Sequence, residues 1–204
     1  LGLHHKHGLL DSFLGSFAQS ILKGTHRQMM VVKCLMPVNT MRRLMVAVPP
    51  KAEFEAGFYK WVERLARIGG QLGCRVHFWA HPDTILRING YLKKFHGNVR
   101  VEFSPMDDWD DLLLMSSKVA YDHLVVIVSA RKGAISYQSS FEELPTQITK
   151  YFSNCSLMLI YPDQLGDPLE NLTFSSPRGQ SENPIYDHVS KWVYKWMKKG
   201  EEQG

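Results

Sequence analysis

At 204 residues and 23.4 kDa the chain is long enough for one ordinary domain and a sizeable remainder, or for one larger domain. Hydrophobic residues at 44% and charged residues at 22% exclude a disordered chain, a collagen-like repeat and a disulfide scaffold. The 24 Lys and Arg against 20 Asp and Glu leave a net charge of +4, too balanced to point to nucleic acid, and no apolar run reaches the roughly 20 residues of a membrane span.

The first 40 residues predict a loop, a helix from Gly15 to Lys23 closed by Gly24, and a strand from Met29 to Val32. From residue 41 the chain alternates regularly. The apolar run Leu44 to Val48 predicts a strand, closed by Pro49 and Pro50, which cannot continue a sheet interior. Phe54, Phe58, Trp61, Val62 and Leu65 then fall on one helical face, and Gly69, Gly70 and Gly73 are expected to end that helix. A strand at Arg75 to Ala80, a helix from Pro82 to Phe95 and a strand at Val99 to Phe103 follow. Asp107, Asp108, Asp110 and Asp111 open a third helix. They could be a cation site, but they lack the glycine and bidentate Glu of a calcium loop, and acidic residues suit the first turn of a helix. His123 to Val128 is the most apolar run and predicts a strand buried on both faces of a parallel sheet. A helix from Ser140 to Phe152 leads to the last strand, Leu157 to Tyr161.

Five strands interleaved with four helices predict an α/β domain over residues 41–163, built as a doubly wound, mainly parallel five-stranded sheet. Residues 1–40 repeat the loop, helix and strand order that ends this domain at 131–161. The expectation is an internal repeat whose first copy is represented by its end, so that the sequence, which opens on Leu1, is a piece of a tandem protein. The organisation expected is thus 1–40, the C-terminal part of a first domain; 41–163, a complete second domain; and 164–204, an extended linker and a C-terminal amphipathic helix. Met30 to Val32 and Leu157 to Ile160 are both last strands with a free edge, and such edges invite pairing, within the chain or between two copies.

The chemistry is expected in the first copy. Gly2, Gly8 and the pair Gly15-Ser16 bracket a loop that runs into a helix N-terminus, where unpaired N–H groups and the helix dipole can hold a phosphate and Ser16 adds a hydroxyl. The stretch GLHHKHGLLDSFLGSFAQSILKGTHRQMMVVK, Gly2 to Lys33, resembles the C-terminal third of a universal stress protein domain. Nucleotide-binding members of that family carry Gly, two residues, Gly, nine residues, then Gly-Ser or Gly-Thr. Gly2 and Gly15-Ser16 match, whereas His5 stands in place of the second Gly and brings a side chain where the family's backbone approaches the ribose and phosphates. Residues 41–161, opening MRRLMVAVPP, resemble a whole second domain of the family. The resemblance implies an adenine nucleotide alpha hydrolase-like fold, with Gly2, His5, Gly8, Gly15 and Ser16 around ATP or AMP and no metal. In the second copy the residues that would bind are gone: Pro49 or Pro50 replaces the acidic residue ending the first strand, and Phe141 to Leu144, FEEL, replaces Gly-Ser. Glu142 and Glu143 there would repel a triphosphate.

Tandem domains of this kind occur as free soluble stress proteins and as the cytoplasmic C-terminal region of bacterial cation:proton (sodium/hydrogen) antiporters. GLHHKHGLLDSFLGS and the long extension after the last strand are more similar to the antiporter tails. The resemblance therefore implies a regulatory domain, not an enzyme, at the cytoplasmic face of the inner membrane. Its expected partners are the transmembrane part of the same parent chain and a second copy or pseudo-copy met through the last strands. The alternative is a free tandem stress protein acting as a nucleotide-binding or scaffold module; a nucleotide-consuming enzyme on the same architecture ranks third. No GxSxG, HExxH, GxxxxGK[ST] or GxGxxG motif is present.

Smaller features carry less specific readings. His4, His5, Lys6 and His7 could bind a metal with Asp11 or titrate near neutral pH, or form a solvated loop. Cys34, Cys74 and Cys155, odd in number and without CxxC, suggest a reducing compartment and no structural zinc. After the Pro-containing stretch of Pro168, Pro177 and Pro184, Ile185, Val189, Trp192, Val193 and Trp196 share a helical face near Lys191, Lys195, Lys198 and Lys199. That helix could meet a membrane surface or dock on its own domain or a dimer partner.

Overall fold

The computed structural model describes Ile21 and residues 24–165, all within one unit that ends at Leu165. Its centre is a six-stranded mixed sheet: β1 Met29–Lys33, β2 Arg43–Ala47, β3 Arg75–Ala80, β4 Val101–Pro105, β5 His123–Val128 and β6 Ser156–Tyr161. In space the order is β1-β6-β5-β2-β3-β4. The strands from β2 to β6 are mutually parallel, and β1 alone runs antiparallel, against β6. The chain leaves β2 towards β3 and β4, then returns to the other side of β2 for β5 and β6. The switch in direction between β2 and β5 opens a crevice at their carboxyl ends in folds of this class.

Among the described residues, four helices with assigned bounds cover the sheet: α1 Phe58–Leu72, α2 Pro82–Phe95, α3 Leu112–Ser116 and α4 Leu144–Tyr151. Phe58, Trp61 and Leu65 of α1 and Ile88 and Leu92 of α2 pack with Leu44, Val46, Val76, Phe78 and Val126 on one face. Leu112 and Met115 of α3 and Leu144 and Ile148 of α4 pack with Met45, Ala47, Val125, Ile127 and Leu159 on the other. Alternate residues of β2 and β5 feed the two cores, so these central strands are buried on both faces, as the unbroken apolar run of β5 predicts.

The five-stranded expectation is corrected by β1. Every residue of β6 is buried, which a bare edge could not achieve; β1 covers that edge in the register Met29↔Tyr161 to Lys33↔Leu157. Met30 adds to the first core, Met29 and Val31 to the second. Both ends of the ladder are tied: Gln164 N–H donates to the His26 carbonyl (2.9 Å), and Leu35 N–H donates to Ser156 Oγ (3.0 Å).

Two expectations for α1 also change. Phe54 is 64% exposed and belongs to a 3-10 turn, Ala52–Phe54, because the chain leaving Pro50 makes a tight turn before the helix can begin. Gly69 and Gly70 lie inside α1 and do not end it. A Cβ on Gly69 would stand 2.5 Å from Val76 Cγ2, so glycine there is needed for the close approach of helix to β3. Gly73, at φ 62, is the left-handed residue that ends the helix. The third helix is short: Asp108 and Asp111 cap each other around a 3-10 turn, Trp109–Asp111, that leads into α3. β4 begins two residues later than expected, at Val101, and the last helix starts as a 3-10 turn, Ser139–Glu142.

Candidate functional site at the carboxyl ends of the central strands

The crevice between β2 and β5 is bounded by the two loops that leave these strands. After β2, Val48 N–H still donates to the Trp79 carbonyl (2.9 Å); Pro49 and Pro50 then stop the ladder, and Lys51 adopts a left-handed φ of 67° that turns the chain towards Glu55. After β5, Ser129 N–H donates to the Ile160 carbonyl (2.8 Å), and Gly133 takes φ 89° in the turn that brings Ser136 back over the sheet end.

The loops meet at Glu55. Its Oε1 accepts both the backbone N–H and the hydroxyl of Ser136, each at 2.9 Å, and Ser136 is 1% exposed. An N–H and an O–H converging on one oxygen is the donor arrangement that holds a phosphate oxygen; here the protein's own carboxylate takes it. Further along the same loop Lys132 Nζ donates to Glu142 Oε1 (2.9 Å). That hydrogen bond holds Glu142 below the usual carboxylate range and raises Lys132, although both are on the surface. Where the resemblance expects Gly-Ser, Phe141 is buried edge-on against Trp109 with ring centroids 4.7 Å apart, and Leu144 is buried below it. Large side chains therefore anchor this turn.

Beside the crevice, at the end of β6, stands a buried carboxylate. The Asp163 side chain has no exposure. Lys60 Nζ donates to its Oδ2 (2.7 Å), Leu165 N–H donates to its Oδ1 (3.0 Å), and Arg27 Nη1 lies 3.8 Å away. Burial pushes this carboxyl up, but Lys60, the Leu165 N–H and Arg27 together outweigh it and leave Asp163 below the usual carboxylate range. The backbone of Asp163 crosses directly over Gly57, where a Cβ would come within 2.6 Å of its N and O. Arg131 completes the arrangement, donating to the carbonyls of Arg27 (2.8 Å) and Pro162. Arg27 precedes β1, Lys60 lies on α1, Arg131 follows β5 and Asp163 follows β6, so one polar cluster fastens four segments. These side chains act as bridges, and none is arranged as a nucleophile with its base.

A cavity of about 630 Å³ opens between the loop after β2 and the start of α2, with Lys51, Phe54, His81 and Arg87 in its wall. Two of its polar groups are already engaged: Thr84 Oγ1 donates to Glu53 Oε2 (2.6 Å), and His81 Nδ1 accepts from Asp83 N–H (3.3 Å) as the cap of α2.

The residues expected to bind nucleotide, Gly2, His5, Gly8, Gly15 and Ser16, lie outside the described residues, as do His4, His7 and the C-terminal helix. Of the helix expected from Gly15 to Lys23, the one described residue, Ile21, is helical; Gly24, expected to close it, is helical as well, and Thr25 N–H donates to the Ile21 carbonyl (2.9 Å). Among the described residues no group of three or more His, Cys, Asp or Glu is placed to hold a metal, and no helix is long and apolar enough to cross a membrane. Glu55, Ser136 and Asp163 were not singled out by sequence. The one signal for Asp163 is an acidic residue directly after an apolar strand and Pro162. No protein-family model and no curated protein matches the chain.

Proposed function

We propose that the chain is a cytosolic regulatory module of a cation:proton antiporter, in which the Gly2 to Ser16 loop senses an adenine nucleotide and the domain over residues 41–163 is a structural copy that receives the signal. The observation that carries this reading is the β1–β6 ladder, which makes the strand downstream of the phosphate-type loop part of the second domain's own sheet. A displacement of β1 changes the edge of β6, and the Arg27–Asp163–Lys60 cluster extends that link to α1. The Glu55–Ser136 contact supports the structural role of the second copy, because the donors that would meet a phosphate there are already in use. The antiporter context rests on the resemblance of the Gly2 to Ser16 stretch.

Binding regulates transport only if the nucleotide has different affinity for two states of the transporter. The test is cation/proton exchange by the parent transporter in membrane vesicles, with and without ATP or AMP. The expected result is a nucleotide-dependent change in exchange rate that Ser16→Ala removes and Glu55→Gln retains. Exchange indifferent to nucleotide, or a parent chain with no transport activity at all, overturns the reading; the latter favours a free tandem stress protein.

A further inference from the structure

At the opposite, amino-terminal end of the strands lies a basic cleft. β2 and β3 begin with Arg43 and Arg75, Arg100 immediately precedes β4, and β5 begins with His123. Register places Arg43 beside Arg75 on one flank and beside His123 on the other, so three basic side chains stand abreast on one face of three adjacent strands. Like charges side by side in a sheet are unfavourable. Glu102 relieves two of them, accepting from Arg75 Nη1 at 2.7 Å and lying 3.0 Å from Arg43 Nη1. Arg42, with its side chain 85% exposed, has its Nε 3.7 Å from Asp122, outside hydrogen-bond distance. Arg100 donates to the Gly73 carbonyl. His123 Nδ1 accepts from Ala120 N–H (3.1 Å), which leaves its Nε2 to carry the proton. Burial pushes the His77 and His123 imidazoles below their usual pKa, so the positive charge near neutral pH is that of the arginines.

Arg42, Arg43, Arg75 and Arg100 thus line an open cavity of about 820 Å³ together with Thr40, His123 and one carboxylate, Asp122, while Glu102 pairs with Arg43 and Arg75. We propose that this amino-terminal rim is an anion site that takes a phosphate group, with the Arg43 and Arg75 guanidiniums as its fork and Arg42, Arg100 and His123 Nε2 as further donors. Each guanidinium has five N–H donors, so one contact to Glu102 leaves most of the fork for a ligand. Arginine is suited to the geometry because paired N–H groups match two phosphate oxygens. A bound dianion would also offset the positive charge of the four arginines that line the cavity. The site shares no residue with the Gly2 to Ser16 stretch and stands or falls independently of it.

The experiment uses the full 204-residue chain. Inorganic pyrophosphate is titrated with site-resolved NMR, which separates the rim from any other phosphate site, and binding is repeated with phosphatidylcholine vesicles with and without phosphatidylglycerol. Shifts centred on Arg43, Arg75 and His123 are expected, and affinity should fall about tenfold or more in Arg43→Gln and Arg75→Gln. Arg43→Lys, which keeps the charge but loses the fork, should lose part of that affinity. Lys51→Gln combined with Arg87→Gln, which removes charge at the carboxyl ends, should leave it unchanged. Pyrophosphate binding identifies a soluble phosphate ligand; vesicle binding that needs phosphatidylglycerol and is lost in the same arginine variants identifies a lipid headgroup. No shifts at the rim and no vesicle binding, or equal weakening by the control pair, overturns the proposal.

Discussion

Glu55 and Ser136 lie 81 residues apart and are ordinary residues in sequence, yet their contact closes the crevice where an α/β fold of this topology offers a ligand site. Ser136→Ala removes the hydroxyl donor and leaves a carboxylate with one fewer partner, so a loss of about 1–3 kcal/mol in urea unfolding is expected. Asp163 makes a stronger demand, being without exposure and held by Lys60. Lys60→Met should cost towards the lower end of about 3–5 kcal/mol, because Arg27 remains nearby. The pH dependence follows from the depressed folded-state pKa of Asp163. Above the unfolded-state pKa the native carboxylate contributes its full stability, and this is lost as pH falls through the folded value. Unfolding midpoints measured from about pH 7 to pH 3 should therefore decline less steeply in Asp163→Asn than in the parent protein, from a lower starting point.

Between elements, glycine chemistry separates two kinds of position that look alike in sequence. Gly69 sits where α1 presses on β3, with Val76 Cγ2 at 2.5 Å from any added Cβ, whereas Gly90 on α2 has nothing within 4 Å. Gly69→Ala should destabilise by about 1–3 kcal/mol through overpacking. Gly90→Ala should stabilise by about 0.5–1 kcal/mol, since only helix propensity changes. Thermal unfolding of the two variants side by side checks both signs. The same pair explains one limit of the sequence: a glycine within an apolar helical pattern signals either termination or close packing, and only the neighbour across the interface decides which. Phe54 was similarly ambiguous, its spacing continuing a helical face although Pro50 and Lys51 turn the chain before the helix begins. The strands were more legible, because β5 and β6 are short apolar runs between polar turns and such runs have few other places to go. The strand at Met29 was legible too, along with its free edge; that it completes the burial of β6 requires the register to be seen.

At the scale of the whole molecule, one sheet joins sequence expected to belong to two domains. The loop, helix and strand order shared by residues 1–40 and 131–161 is legible from residues alone, as is the run Phe141 to Leu144 without a glycine. The Glu55–Ser136 contact is not, since it depends on two loops folding towards each other. The basic rim was present in the sequence as arginines at or just before the starts of β2, β3 and β4, and parallel strands bring all such starts to one end. If β1 is a working part of this sheet, then Val31→Asp, which puts a charge into a strand packed on the second core, should loosen β6 as well as β1. Native-state hydrogen exchange should then show faster exchange at Leu157, Leu159 and Tyr161, while α2 is affected less.

The most direct test of the regulatory account is hydrogen exchange of Ser156–Tyr161 in the parent protein, followed as ATP is added. The account predicts slower exchange in both β1 and β6 on binding, and loss of that response in Ser16→Ala. A protein that binds ATP through the Gly2 to Ser16 loop while exchange in β6 stays unchanged would contradict it.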